Sequence, residues 1–129
     1  MNIKNYCIAF NTYPEALEII KICKENKIKP TIFIKYYLIN GFGIDWLIEL
    51  KNLLYKDFKY VDFKTYADAK NNYGLFLNLV ENKINYIKVK ANKEMFKRLS
   101  NIATTNKVLI NPNFSIVERS KFKKLIENK

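Results

Sequence analysis

Short apolar runs alternate with longer stretches of helical spacing along the whole chain, and this alternation restricts the possible folds more than any other feature. YCIAF, residues 6 to 10, is a continuous apolar run of strand length. In the TYPEALEIIKICKENK that follows it, Ala16, Ile19, Ile20 and Cys23 recur at helical spacing. Thr12 and Glu15 make a T-x-x-E capping box, and Pro14 falls in the first turn, where no intrahelical hydrogen bond is lost. After Pro30, TIFIKYY reads as a second, buried strand. LINGFGI reads as a loop, and Asp45 as the cap of a helix carrying Trp46, Leu47, Leu50, Leu53 and Leu54.

The pattern continues to the end. A third strand is expected over Tyr60 to Ala67 and a helix over Gly74 to Asn82. NYIKVKA gives a fourth strand and Asn92 caps the next helix, which carries Met95, Phe96, Leu99 and Ile102. KVLINP gives a fifth strand, and the S-x-x-E spacing of Ser115 and Glu118 marks the start of the last helix, which runs into a frayed, lysine-rich tail. Five strand-then-helix units require a parallel sheet, because each helix supplies the crossover that parallel pairing needs. The expected fold is thus a single α/β domain over residues 1 to 129: a three-layer α/β/α sandwich with a mostly parallel sheet of flavodoxin-like order 2-1-3-4-5.

Strands one, two and five are apolar on both faces, but strands three and four are not. Val61, Phe63, Thr65 and Ala67 face one way and Asp62, Lys64, Tyr66 and Asp68 the other, while Lys88 and Lys90 alternate with Ile87 and Val89. A covered parallel sheet is apolar on both faces. Either one face is poorly covered here, or Asp62 and Lys64 pair with Lys88 and Lys90 across strands. That face is a candidate interface.

Several chemistries are excluded by composition. The 129 residues contain no histidine, which removes imidazole acid–base catalysis and the Ser-His-Asp and Cys-His arrangements. Two cysteines cannot supply the four ligands of a structural zinc site. Both fall on apolar faces and are expected to be buried, reduced thiols. No metal, cofactor or membrane span is expected, since Lys35 interrupts the greasiest stretch and no run reaches eighteen apolar residues. MNIKNYCIAF lacks the charge and apolar pattern of a signal peptide, so a cytoplasmic location is expected.

The net charge of +11 is unevenly placed. Residues 1 to 82 carry 11 basic and 9 acidic side chains, or +2, and residues 83 to 129 carry 12 and 3, or +9. Such a surface attracts nucleic acid or other anions. Yet the excess is lysine in a chain also rich in Asn, Ile and Tyr, a pattern of AT-rich coding, and the chain has only Arg98 and Arg119 for the side chain most used in specific base readout. Nucleic acid is therefore the least favoured of the partners considered.

Open α/β sheets bind ligands beyond the carboxyl ends of their strands. In the expected topology that edge gathers Asn11 after strand one, Lys35 after strand two, and Asp68, Lys70, Asn71, Asn72 and Gly74 after strand three. Asn92 follows strand four and Asn111 strand five. This set suits a small polar or anionic ligand. Tyr13, Tyr36, Tyr37, Phe42, Trp46 and Tyr73 map to the same edge, as a pocket roof or as a homo-oligomer or protein contact.

Known motifs fit poorly. A receiver domain needs an acidic pair after strand one and a lysine after strand five, and only Asp68 is in place. A dinucleotide fingerprint needs glycines where FNTYPEA has none. The Asp-x-Lys-x-x-Asp strand end of the orotidine-phosphate decarboxylase superfamily is approached by Asp62, Lys64 and Asp68, with Lys35 on the preceding strand. The second acid, however, lies one residue too far along and so on the other face.

One resemblance covers about the middle half of the chain. Gly43 and Trp46 match the Gly-x-x-Trp helix start, and Asp68 and Gly74 the strand end and following helix start, of a group of small alphaproteobacterial proteins with no assigned activity. Ala69 and Tyr73 depart from the Cys and Pro of that group. The resemblance implies a bacterial origin and an α/β fold rather than a function. The function expected from the residues is a non-catalytic small-ligand-binding or protein-interaction module; the alternative is an enzyme using Asp68 with Lys35 or Lys70.

Overall fold

A computed structural model describes residues 6 to 59 and 62 to 128. In chain order the elements are β1 (Tyr6–Ala9), α1 (Tyr13–Glu25), β2 (Thr31–Ile34), α2 (Tyr36–Phe42), α3 (Ile44–Asp57), β3 (Lys64–Lys70), α4 (Tyr73–Glu81), β4 (Tyr86–Val89), α5 (Lys93–Thr105), β5 (Leu109–Ile110), β6 (Ser115–Glu118) and α6 (Arg119–Glu127). The strands form one all-parallel sheet of six, so the α/β class and parallel pairing follow the sequence pattern. No described helix is long and apolar enough to cross a membrane.

The strand order differs from 2-1-3-4-5. It is β5-β4-β3-β2-β1-β6, so the chain steps in one direction from β1 to β5 and then returns beside β1. Right-handed crossovers that always step the same way place every connecting helix on one face. The buried contacts agree: Ile8, Phe10, Ile32, Ile34, Ala67, Ala69, Ile87, Val89 and Val117 pack with the apolar faces of all the long helices in one core. The opposite strand positions Cys7, Ala9, Phe33 and Tyr66 form a separate cluster with Tyr86 and Phe114 that contains no helical residue. The third layer of the expected sandwich is therefore replaced by side chains of the sheet itself.

This is possible because the sheet curls. In a flat sheet of six strands β5 and β6 would lie about 24 Å apart, whereas the chain from Ile110 to Ser115 can span at most about 19 Å. Phe114, next to the β6 strand that pairs with β1, brings its ring within 6.1 Å of Tyr66 on β3 and 5.0 Å of Tyr86 on β4. The connection Asn111 to Phe114 thus crosses the concave face as a plug. No backbone pairing joins β5 to β6, which leaves a seam between them.

Several elements depart from their expected limits, among them α3, which starts at Ile44 behind Gly43, with Asp45 in its first turn rather than at its cap. Residues 36 to 42 form α2 instead of strand end and loop, because Leu38 and Ile39 are buried on one side of a helical turn that Gly43 closes at φ 91°. β3 runs to Lys70, beyond Ala67, and its expected first residues, Tyr60 and Val61, lie outside the described ones. Ser115 starts β6 rather than a helix, and Arg119 starts α6, which runs to Glu127 in place of a frayed tail.

Candidate functional site

The carboxyl ends of the strands divide into two halves. On the β1, β2 and β6 side, Asn11 Oδ1 accepts from Lys35 Nζ at 2.9 Å and from the Tyr37 hydroxyl at 2.6 Å. Lys35 Nζ also meets Glu118 Oε1 at 2.9 Å. Asn11 donates its backbone N–H to Glu15 Oε1 at 3.1 Å, which fastens the first helix start to the same network. The two sequence candidates Asn11 and Lys35 are thus tied to each other, to Tyr37 and to Glu118 in a cluster at the surface.

On the β3 side, Asp68 Oδ1 accepts the backbone N–H of Lys70 at 2.9 Å, and Lys70 turns the chain at φ 48°. Lys70 Nζ lies over the Tyr36 ring at 5.0 Å. The strand pairing slips between Asp68 and Lys70, so Asp68 stands beside Lys88 and Lys70 beside Val89. Among the described residues no ion pair joins Asp68 to Lys35 or Lys70, the pairs that an acid–base site would use.

The asparagines hold the backbone. Asn72 Oδ1 caps α4 through the Leu75 N–H at 2.9 Å, and Asn92 Oδ1 caps α5 through the Met95 N–H at 2.8 Å. Asn111, at φ 48°, uses its amide as a mock strand residue: Oδ1 accepts the Val89 N–H at 2.8 Å and Nδ2 donates to the Val89 carbonyl at 3.0 Å. Asn71 is exposed with no hydrogen bond among the described residues. A Cβ at Gly74 would meet only Asn72 Oδ1 at 3.6 Å, so nothing there demands glycine.

A pocket of about 330 Å³ opens at the seam, lined by Tyr66, Lys88, Val89, Lys90, Asn111, Pro112, Phe114 and Ile116. Of the nine sequence candidates only Asn111 lies in it. Sequence register explains how the rest come together. Tyr66, Tyr86 and Leu109 are aligned across β3, β4 and β5, Asp68 and Lys88 form the next rung, and Cys7 and Ile116 are paired across β1 and β6. The polar alternation of strands three and four thus marks the concave face, and the plug supplies Pro112 and Phe114. Asp62 does not join Lys88 or Lys90, since its carboxylate meets Lys24 Nζ at 3.4 Å; Lys64 Nζ instead meets the Tyr86 hydroxyl at 3.4 Å.

Lys88 and Lys90 have no acidic partner among the described residues. Burial, reinforced by the Cys7 and Asp68 charges, pushes the Tyr66 phenol up to about 12, so it stays a hydrogen-bond donor at neutral pH. Burial also pushes the Cys7 thiol up to about 12, only partly opposed by a backbone hydrogen bond and the Lys88 charge. Cys7 and Cys23 are both free and buried, and protonated thiols are poor nucleophiles. No group of three His, Cys, Asp or Glu side chains that could hold a metal occurs among the described residues. No family model matches this chain, and no curated protein matches it.

Proposed function

We propose that the chain is a non-catalytic module that binds a small anionic ligand in the seam pocket. The observation that supports this reading is the pairing of two lysines that form no ion pair among the described residues, Lys88 and Lys90, with a concave lining that extends from Tyr66 within β3 to Lys90 and Asn111 beyond the carboxyl ends of β4 and β5. Cations without an ion-pair partner next to a low-dielectric wall attract anions, and open α/β sheets bind their ligands toward the end where Lys90 and Asn111 lie. A volume of about 330 Å³ is at the small end of ligand sites, so the ligand is compact.

A ligand that binds only the folded chain raises its stability in proportion to the logarithm of ligand concentration. A thermal-shift panel of inorganic and organic anions is therefore expected to contain members that raise the unfolding midpoint. Those same members are expected to lose their effect in Lys88→Ala/Lys90→Ala. A panel with no stabilising anion, or equal stabilisation of the double variant, rejects the reading.

A further inference from the structure

The pocket lining divides sharply by chemistry, and this narrows the ligand beyond its charge. Tyr66 is only 3% exposed, yet its hydroxyl has no hydrogen-bond partner among the described residues. No sealed side-chain oxygen or nitrogen among the described residues lacks a partner, so this hydroxyl reaches accessible space, and the pocket is the space its residue lines. A hydroxyl that opens onto such space is bonded there by water or by a ligand.

The unengaged side-chain groups of the lining are rich in donors: the ammonium groups of Lys88 and Lys90 only donate, and the Tyr66 hydroxyl donates and can also accept. The one side-chain amide is largely engaged, because Asn111 gives its oxygen and one N–H to the Val89 backbone, which leaves only a further N–H donor. The side chains of Val89, Pro112, Phe114 and Ile116, which complete the lining, are apolar. A ligand rich in donors, such as a sugar or a nucleobase, would lose its hydration with few acceptors in return. A bare inorganic anion would leave the apolar wall in contact with water.

Resting on the reading of the pocket as an anion site, we infer that its ligand is a compact carboxylic acid with a hydrocarbon body, aryl or branched alkyl. Its carboxylate takes hydrogen bonds from Tyr66, Lys88 and Lys90, and its body lies on Phe114, Pro112 and Ile116.

The probes are phenylacetate, its neutral isostere phenylacetamide, and inorganic phosphate, titrated calorimetrically into the full chain. Tyr66→Phe removes only a hydroxyl that has no partner among the described residues, so it is expected to leave the fold intact; Lys97→Ala, on the exposed side of α5, is the charge control. Phenylacetate is expected to bind best, with about tenfold weaker affinity in Tyr66→Phe and unchanged affinity in Lys97→Ala. Phosphate binding as tightly as phenylacetate overturns this inference but leaves an anion site standing. Equal affinity for phenylacetamide, or phenylacetate affinity that Tyr66→Phe does not alter, also overturns it. If no anion binds, both readings fall together.

Discussion

Cys7 and Cys23 sit at 0% exposure on opposite sides of the sheet, one in the concave cluster and one on the buried face of α1. Burial holds both thiols up to about 12 against an ordinary value of 9.0. The unfolded chain therefore releases these protons first as pH rises. Their contribution to stability is complete below about pH 9 and is lost progressively between about 9 and 12, with a slope of up to about 1.4 kcal/mol per pH unit per thiol. Tyr66, raised from 10.0 to about 12, adds a loss of the same sign in the upper part of that window. Urea midpoints are expected to fall steeply above about pH 9, and a thiol reagent near neutral pH is expected to modify neither cysteine before unfolding. Immediate modification of both would sink this account. The cysteines' burial was legible from their apolar periodicity. The roles of the asparagines were not, because an Asn after a strand reads equally as ligand contact or helix cap, and only the Leu75 and Met95 N–H groups decide for Asn72 and Asn92.

Helix ends repeat one device. After α1, α4 and α5 come Asn26-Lys27-Ile28, Asn82-Lys83-Ile84 and Asn106-Lys107-Val108, with the lysines at φ 59°, 57° and 60°. Each Asn Nδ2 donates to the carbonyl four residues back at 2.8 Å. The following apolar residue donates its N–H to the carbonyl five back: Ile28 to Cys23 at 2.8 Å, Ile84 to Leu79 at 3.2 Å, Val108 to Ala103 at 2.8 Å. This is the Schellman arrangement with lysine at the left-handed position that glycine favours. The left-handed conformation costs a residue with a Cβ about 1 kcal/mol, partly offset by the extra freedom that glycine has when unfolded. Lys27→Gly, Lys83→Gly and Lys107→Gly are each expected to stabilise by about 0.5 to 1 kcal/mol. Denaturant midpoints that drop in all three would contradict the strain. Helix and strand positions were legible because the apolar faces are strongly periodic, as in Ala16, Ile19, Ile20 and Cys23. α2 and β6 were not. Their short sequences YYLINGF and SIVE suit other conformations equally well, and packing decides: Leu38 and Ile39 under the first, pairing with β1 for the second.

At the scale of the molecule, strand count and order depended on a four-residue link. The sequence pattern contains no helix between β5 and β6, and Ser115 to Glu118 imitates a helix start, so the return beside β1 left no local trace. What was legible was its consequence, the polar face of strands three and four, since a sheet with helices on one side only keeps polar residues on the other. β6 and α6 are therefore integral. β6 pairs along the whole of β1, and α6 buries Phe122 at 0% exposure in the main core together with Val117. Loss of a fully buried Phe alone costs about 3 to 5 kcal/mol, a large part of the 5 to 15 kcal/mol that typically holds a domain together. A chain ending at Phe114 would also leave β1 as a bare edge with Ile8 and Phe10 exposed to water. Such a truncation is expected to lose cooperative urea unfolding and to bind a hydrophobic dye, whereas Phe122→Leu, which keeps most of the buried volume, is expected to stay cooperative at a lower midpoint. If the truncated chain unfolded cooperatively at the midpoint of the full one, the closing turn of the sheet would be an appendage, and the concave pocket would have to owe its shape to β1 through β5 alone.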